Sequence, residues 1–270
     1  MLQKKILRKI LMTYTFYKYQ GTGNDFVIID NRQNSFDKND TKLVHFLCDR
    51  RFGIGADGLI LLENHNDLDF KMVYYNADGN QSSMCGNGGR CIVAFANFLG
   101  IIENETSFEA IDGLHHAVVE DDFVKLQMNN VDTIDKYESH LFLDTGSPHH
   151  VQFENELELL NVKAKGAKIR YGELYDDAGT NINFVERVDD DTFSVRTYER
   201  GVEDETFSCG TGVTAVALAM HHQKETTNKI VYLETKGGEL QVSFDINENG
   251  YHNIWLIGPA KQVYKGEIVW

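Results

Sequence analysis

The chain has 270 residues, 42% of them apolar and 25% charged, the balance of one or two globular domains and not of a disordered or fibrous chain. Its formal net charge of −15 repels phosphate backbones and anionic lipid surfaces, which argues against nucleic-acid and membrane partners. No run approaches the roughly 20 apolar residues that a bilayer span needs.

In chain order, residues 1–11 are basic and then apolar, but they lack the long apolar core and small-residue cleavage site of a secretory signal. They read as an extension, with the fold beginning near Met12. Without such a signal the expected compartment is the reducing cytoplasm, so Cys48, Cys85, Cys91 and Cys209 are expected as free thiols. No two of them form a C-x₂-C pair, which disfavours a zinc ribbon or a thioredoxin-type dithiol. Strand-like runs open the fold, and a modest helix is expected over Thr41–Arg50. The segment Gly53-Ile-Gly-Ala-Asp-Gly58 matches the dinucleotide pattern G-x-G-x-x-G. It follows a helix and precedes the strand-like Leu59–Leu62, the reverse of what that fingerprint requires.

Further strands lead to Cys85-Gly-Asn-Gly88, read as a turn opening a helix over Gly89–Leu99. The later Cys209-Gly-Thr-Gly212 opens a helix over Val213–His221 in the same way. Both helices are apolar nearly all the way round, so they are expected to be buried on every face with a curved sheet wrapped about each. Cys48 and Cys91 fall in apolar helical runs and read as core, and Asp189-Asp-Asp191 as a turn. The pairs His115-His116, His149-His150 and His221-His222 lack metal-ligand spacing; no metal site is expected, and of these only His149 is given a place near the site.

The chain also repeats itself at an offset of about 123 residues. Phe16–Gly23 matches Leu141–Gly146, Gly58–Glu63 matches Ile182–Glu186, Phe70–Gly79 matches Phe193–Gly201, Cys85–Gly88 matches Cys209–Gly212, and Glu109–Gly113 matches Glu234–Gly238. The same order at one offset implies two homologous halves. The expected fold class is α+β, with two pseudo-symmetric domains, each a curved, mostly antiparallel sheet around a buried central helix. The expected boundaries are 12–131 with a closing C-terminal segment 258–270, and 132–257.

A cysteine at a helix N-terminus meets free N–H groups and a partial positive charge, which bias it toward thiolate. The glycines after it let a ligand approach the backbone and form an anion site. If the halves face each other across a pseudo-twofold axis, two thiols flank one carbon. One thiolate can then remove a proton from a stereocentre while the opposing thiol returns one to the other face, as in a cofactor-independent racemase or epimerase.

The motifs Gly21-Thr-Gly-Asn-Asp-Phe26, Gly53-Ile-Gly-Ala-Asp57, Tyr75-Asn-Ala-Asp-Gly79, Met84-Cys-Gly-Asn-Gly-Gly-Arg-Cys91, Tyr198-Glu-Arg-Gly201 and Ser208-Cys-Gly-Thr-Gly212 closely resemble the diaminopimelate epimerase family. The resemblance covers the chain from about Met12. It implies that family's two-domain fold and conversion of LL- to meso-diaminopimelate in lysine and peptidoglycan synthesis, with no cofactor and as a homodimer. By motif, Cys85 and Cys209 resemble the acid/base pair, and the amides of Gly86, Asn87, Gly210 and Thr211 the carboxylate cradle. Asn24 and Glu199 are expected near the ammonium, with Asn76, Asn181 and Arg200 at the distal end of the substrate. His149, in a Pro-His pair, is expected to support the site. Two positions depart from the family pattern, Gly58 where glutamine is common and Ser147 where asparagine is. The rival readings are a proline or hydroxyproline racemase of the same fold, a non-catalytic small-molecule binding protein, and metal-binding thiols. Proline and hydroxyproline racemases usually carry histidine at the place of Asn87 and need no distal clamp. Retention of both cysteines argues against a binding protein, and their spacing against a metal site.

Overall fold

A computed structural model describes residues 12–270; the extension expected over 1–11 lies outside the described residues. The described residues form one continuous 18-stranded sheet and four α-helices, α1 (Thr41–Cys48), α2 (Gly86–Phe98), α3 (Val162–Arg170) and α4 (Gly210–His222). No helix among the described residues is long and apolar enough to cross a membrane.

The two halves share one pairing scheme. In the first, Thr13–Gly21 turns back on Asn24–Asp30, which runs parallel to Gly58–Glu63 after α1. That strand pairs antiparallel with Phe70–Asn76, which in turn runs parallel to Glu105–Ala110 after α2. In the second, Leu141–Asp144, Pro148–Phe153, Asn181–Arg187, Thr192–Glu199 and Ile230–Thr235 take the same steps, with parallel pairs at the same two places and α3 and α4 in the crossovers. The fold is therefore two-domain α+β with a mostly antiparallel sheet, as the repeat implies. The halves join where Phe123–Gln127 pairs antiparallel with Gly250–Pro259, setting Leu126 opposite Leu256. The last strand, Lys261–Val269, returns to pair with Thr13–Gly21, the place that Asp135–Lys136 takes beside Leu141–Asp144.

The alternation of side chains along a strand explains the continuous apolar runs. Phe26 and Ile28 face α2, whereas Val27 and Ile29 face Leu43, Val44 and Leu47 of α1, so Asn24–Asp30 is covered on both sides. On α4, Val213 through Met220 are all buried, among Phe193, Leu233, Val242 and Leu256.

Both central helices begin three residues earlier than their sequence suggests, with Cys85 and Cys209 as N-caps and the Gly-x-Gly residues as the first turn. Each glycine lowers helix propensity by about 1 kcal/mol, which makes the segment read as a loop. Packing overrides this, because a side chain at Gly86 would lie 2.8 Å from Leu256 and 3.3 Å from the Cα of Gly210. Helix α1 likewise stops at Cys48, short of the expected Arg50, where Asp49 turns extended. Cys48 and Cys91 are core residues, as expected.

Phe95 is fully buried on α2, with the Tyr17 ring tilted against it and the Tyr19 ring edge-on, whereas Phe98 on the same helix is 58% exposed. Phe95→Ala is expected to cost about 3–5 kcal/mol by urea unfolding, and Phe98→Ala less than about 1 kcal/mol. Equal losses for the two would contradict this placement of the core.

Candidate active site

The starts of α2 and α4 meet at two glycines. A Cβ at Gly210 would sit 3.0 Å from the Cα of Gly86, an approach that only residues without side chains permit. Cys85, half-buried, accepts a hydrogen bond at Sγ from the Gly88 amide at 3.2 Å and lies 4.0 Å from the Asn24 Oδ1. Cys209, 8% exposed, lies 3.5 Å from the Thr211 hydroxyl.

The thiols depart from the expected bias toward thiolate. Burial pushes Cys85 up to about 11, against the lowering effect of the Gly88 amide, and the Glu199 carboxylate raises it further. Burial pushes Cys209 up to about 12, and again Glu199 adds to the shift. Desolvation of the charged form outweighs the helix-end bonds, so both groups rest as thiols. Glu199 closes the strand Thr192–Glu199, and its own pKa is raised, first by burial and then by the charge of Asp57.

Asn24 is held from two sides. Its Nδ2 donates to Asp57 at 2.5 Å, while its Oδ1 accepts from Asn87 Nδ2 at 3.4 Å. Asp57 is itself gripped by Arg50, which also binds Asp25. Asn87 Nδ2 crosses the seam as well, donating to the carbonyl of Ser208 at 3.1 Å. One side-chain amide thus joins the Asn24 turn of the first half to the residue before Cys209.

On the other side, His149 is fully buried, and its pKa falls to about 3, first through burial and then through the Arg200 charge. It is neutral. Asn183 accepts from Thr197 at Oδ1 and donates to the His150 carbonyl and to His149 Nδ1, so the imidazole proton resides on Nε2. That N–H points to Ser147 Oγ at 3.0 Å, and Ser147 reaches Thr211 Oγ1 at 3.2 Å. Ser147 therefore links His149 to the start of α4. His150, the other member of the pair, binds Tyr175 and Gln152 away from this chain of contacts.

The expected distal residues divide. Arg200 is exposed and its Nη1 donates to the carbonyl of Ala178 at 3.1 Å, while Asn76 is exposed at the end of Phe70–Asn76, opposite Gly58. Asn181 is buried and occupied: its Nδ2 donates to the Pro148 carbonyl and its Oδ1 accepts from the Arg200 amide at 2.9 Å. At Gly58, a Cβ would fall 2.5 Å from the Tyr74 ring and 2.9 Å from its hydroxyl, so the tyrosine of the neighbouring strand fills the space a larger residue would need. Asp57, Arg90, Ser147 and Asn183 all buttress the site without having been assigned there. Asp57 and Arg90 stood inside the quoted motifs, and Asn183 inside the repeat block Ile182–Glu186, where it interrupts an apolar run. No group of three or more His, Cys, Asp or Glu able to hold a metal ion occurs among the described residues.

This arrangement brings the first turns of two helices, two neutral thiols and the half-buried Glu199 carboxylate to one location. Comparison with known proteins agrees with the chemistry. The family model for diaminopimelate epimerase matches residues 16–134 and 141–263. A diaminopimelate epimerase of Flavobacterium psychrophilum is 59% identical over 93% of this chain and 99% of its own. One of Aquifex aeolicus is 38% identical over 94% and 97%. Among solved structures, a phenazine biosynthesis protein of the PhzF family from Bacillus anthracis superposes with a TM-score of 0.75 at 13% identity, covering 95% of this chain and 99% of that one. A hydroxyproline epimerase of Agrobacterium vitis does so with 0.67 at 16%, covering 95% and 92%, so both share the fold. With the family model matched across both halves and a relative at 59% identity, the chain belongs to the diaminopimelate epimerase family.

Proposed function

We propose that the protein is an isomerase converting LL-2,6-diaminopimelate to the meso form by proton transfer between two cysteines, without a cofactor. The observation that carries this reading is that Cys85 and Cys209 each cap a buried helix whose first residues, Gly86 and Gly210, touch. In the reactive state one sulfur is a thiolate and the other a thiol. The thiolate takes the proton from the α-carbon, and the electron pair of that C–H bond moves into the substrate carboxylate. The opposing thiol then protonates the other face, inverting the centre and exchanging the roles of the two sulfurs. The amides of Gly86, Asn87, Gly210 and Thr211 stabilise the charge that develops on the carboxylate.

In the same reading Asn24 and Glu199 face the ammonium of the reacting centre, and Asn76 and Arg200 hold the distal end. Arg200 offers a planar fork suited to a carboxylate. Asn181 sets the backbone of Arg200 and Pro148, and His149 acts through Ser147 on Thr211. Lysine and peptidoglycan synthesis, a cytoplasmic location and a homodimer belong to the proposal. The outer edge of Lys261–Val269, with Val263, Tyr264 and Val269 exposed, offers one surface for a second copy.

Reduced protein in deuterated water is expected to incorporate α-deuterium into LL-diaminopimelate as it epimerises. Cys85→Ala and Cys209→Ala are each expected to lower epimerisation by about 10²–10⁴-fold. Exchange with proline or hydroxyproline but not diaminopimelate would keep the mechanism and replace the substrate; no exchange with any of them would favour a binding protein. Because both thiols rest protonated, alkylation of Cys85 by iodoacetamide in the ligand-free protein is expected to accelerate steadily from pH 7 to pH 9, read by peptide mass spectrometry. A rate already level below pH 7 would show a resting thiolate instead.

A further inference from the structure

Arg90 is a fully buried guanidinium, and among the described residues no carboxylate lies within ion-pair distance of it. Its Nη1 donates to the carbonyl of Gly86 at 3.2 Å, and its Nη2 to Thr22 Oγ1 at 3.1 Å and to Asn87 Oδ1 at 3.0 Å; Nε is buried without a partner. Glycines make room for it, since a Cβ at Gly258 would lie 3.2 Å from Nε and one at Gly21 3.3 Å from Nη2. A buried cation without an anion is costly, and a scaffold under no other demand would place a neutral side chain there.

We propose that Arg90 is a positioning residue of the acid/base site, fixing the orientation of Asn87 and lending its charge to the Cys85 thiolate when that thiolate forms. The orientation follows from the donors. Because Arg90 has no acceptor, Asn87 must turn Oδ1 toward it, which aims Nδ2 at the Asn24 Oδ1 and the Ser208 carbonyl. Were the amide reversed, oxygen would face oxygen at both contacts. The charge follows from what surrounds it. Burial lowers the guanidinium pKa only to about 10, so it stays protonated at neutral pH, and its acidic neighbours are the thiols of Cys91 and Cys85. Cys91 is wholly buried in the core, its own pKa pushed far up by burial. Of the groups facing Cys85, Tyr74, Cys91 and Cys209 rest neutral, their pKa values raised first by burial; the Glu199 carboxylate disfavours a second negative charge there, and Arg90 is the cation that opposes it.

The inference deepens the proposed function by resting on Cys85 as an acid/base group, and its test needs no substrate. Arg90→Gln keeps an N–H donor for Asn87 and removes the charge; Arg90→Lys keeps the charge and loses the fork. The pH profile of Cys85 alkylation by iodoacetamide is to be read in both, with circular dichroism and thermal melts alongside. In Arg90→Gln the profile is expected to move up by about one pH unit, slowing alkylation at pH 8 about tenfold, with no loss in melting temperature. Arg90→Lys is expected to stay within about threefold of the wild type. Arg90→Met, also neutral, serves if the glutamine variant does not fold. A folded neutral variant with the wild-type profile, or a lysine variant displaced as far as the glutamine one, would overturn the proposal. Absence of diaminopimelate turnover in the wild type, with these profiles as expected, would count against the substrate and not against Arg90.

Discussion

A helix N-terminus carries unsatisfied N–H groups and a partial positive charge, so two of them brought together inside a protein repel unless something negative lies between. The present fold brings α2 and α4 together at Gly86 and Gly210. What holds them there is apolar burial: each helix is enclosed by its own curved sheet, and the sheets are continuous through the pairing of Phe123–Gln127 with Gly250–Pro259. The unfavourable electrostatics are thus stored in the resting protein. A carboxylate entering between the helix starts relieves them, and relieves them most when further negative charge develops on it.

The thiols are tuned by the same arrangement. In the ligand-free state burial keeps both neutral and the Glu199 carboxylate reinforces this. Proton transfer between two groups goes easily when neither holds its proton much more firmly than the other, and the near match of the pair follows from their equivalent positions as N-caps of equivalent helices. The asymmetry enters around them. Arg90 and Asn24 stand on the Cys85 side, Ser147 and the neutral His149 on the Cys209 side.

Much of this was legible in the sequence because it is written twice. Repetition of Cys-Gly-x-Gly at one offset, with an all-apolar stretch after each copy, carried the two-domain architecture and the pairing of the cysteines. The first turns of α2 and α4 were not legible, since glycine propensity speaks against a helix and only the approach of the other half favours one. Nor was the resting state of the thiols. Sequence shows the helix start that stabilises a thiolate but not the depth that destabilises it. Asn181, grouped with Arg200 as a distal ligand by its motif, also bonds the Pro148 carbonyl, the Arg200 amide and Ser147, contacts that only the pairing of non-local strands could reveal. The substitution at Gly58 makes sense once Tyr74 is seen in the space beside it.

The return of Lys261–Val269 to Thr13–Gly21 has a consequence for how the chain comes to be folded. Met12 and Trp270 exchange backbone hydrogen bonds, so the first strand of the fold waits for the last. The sheet of the first half therefore keeps an open edge while the second half is being synthesised, and α2 stays uncovered where Leu256, Gly258 and Ala260 later pack. Contacts that join residues so far apart in sequence form late and slowly. During that interval Thr13–Gly21 is an unpaired edge on a half-molecule, the kind of surface that recruits other chains. The architecture that lets two halves share one site also makes the first half dependent on a strand synthesised after the whole of the second.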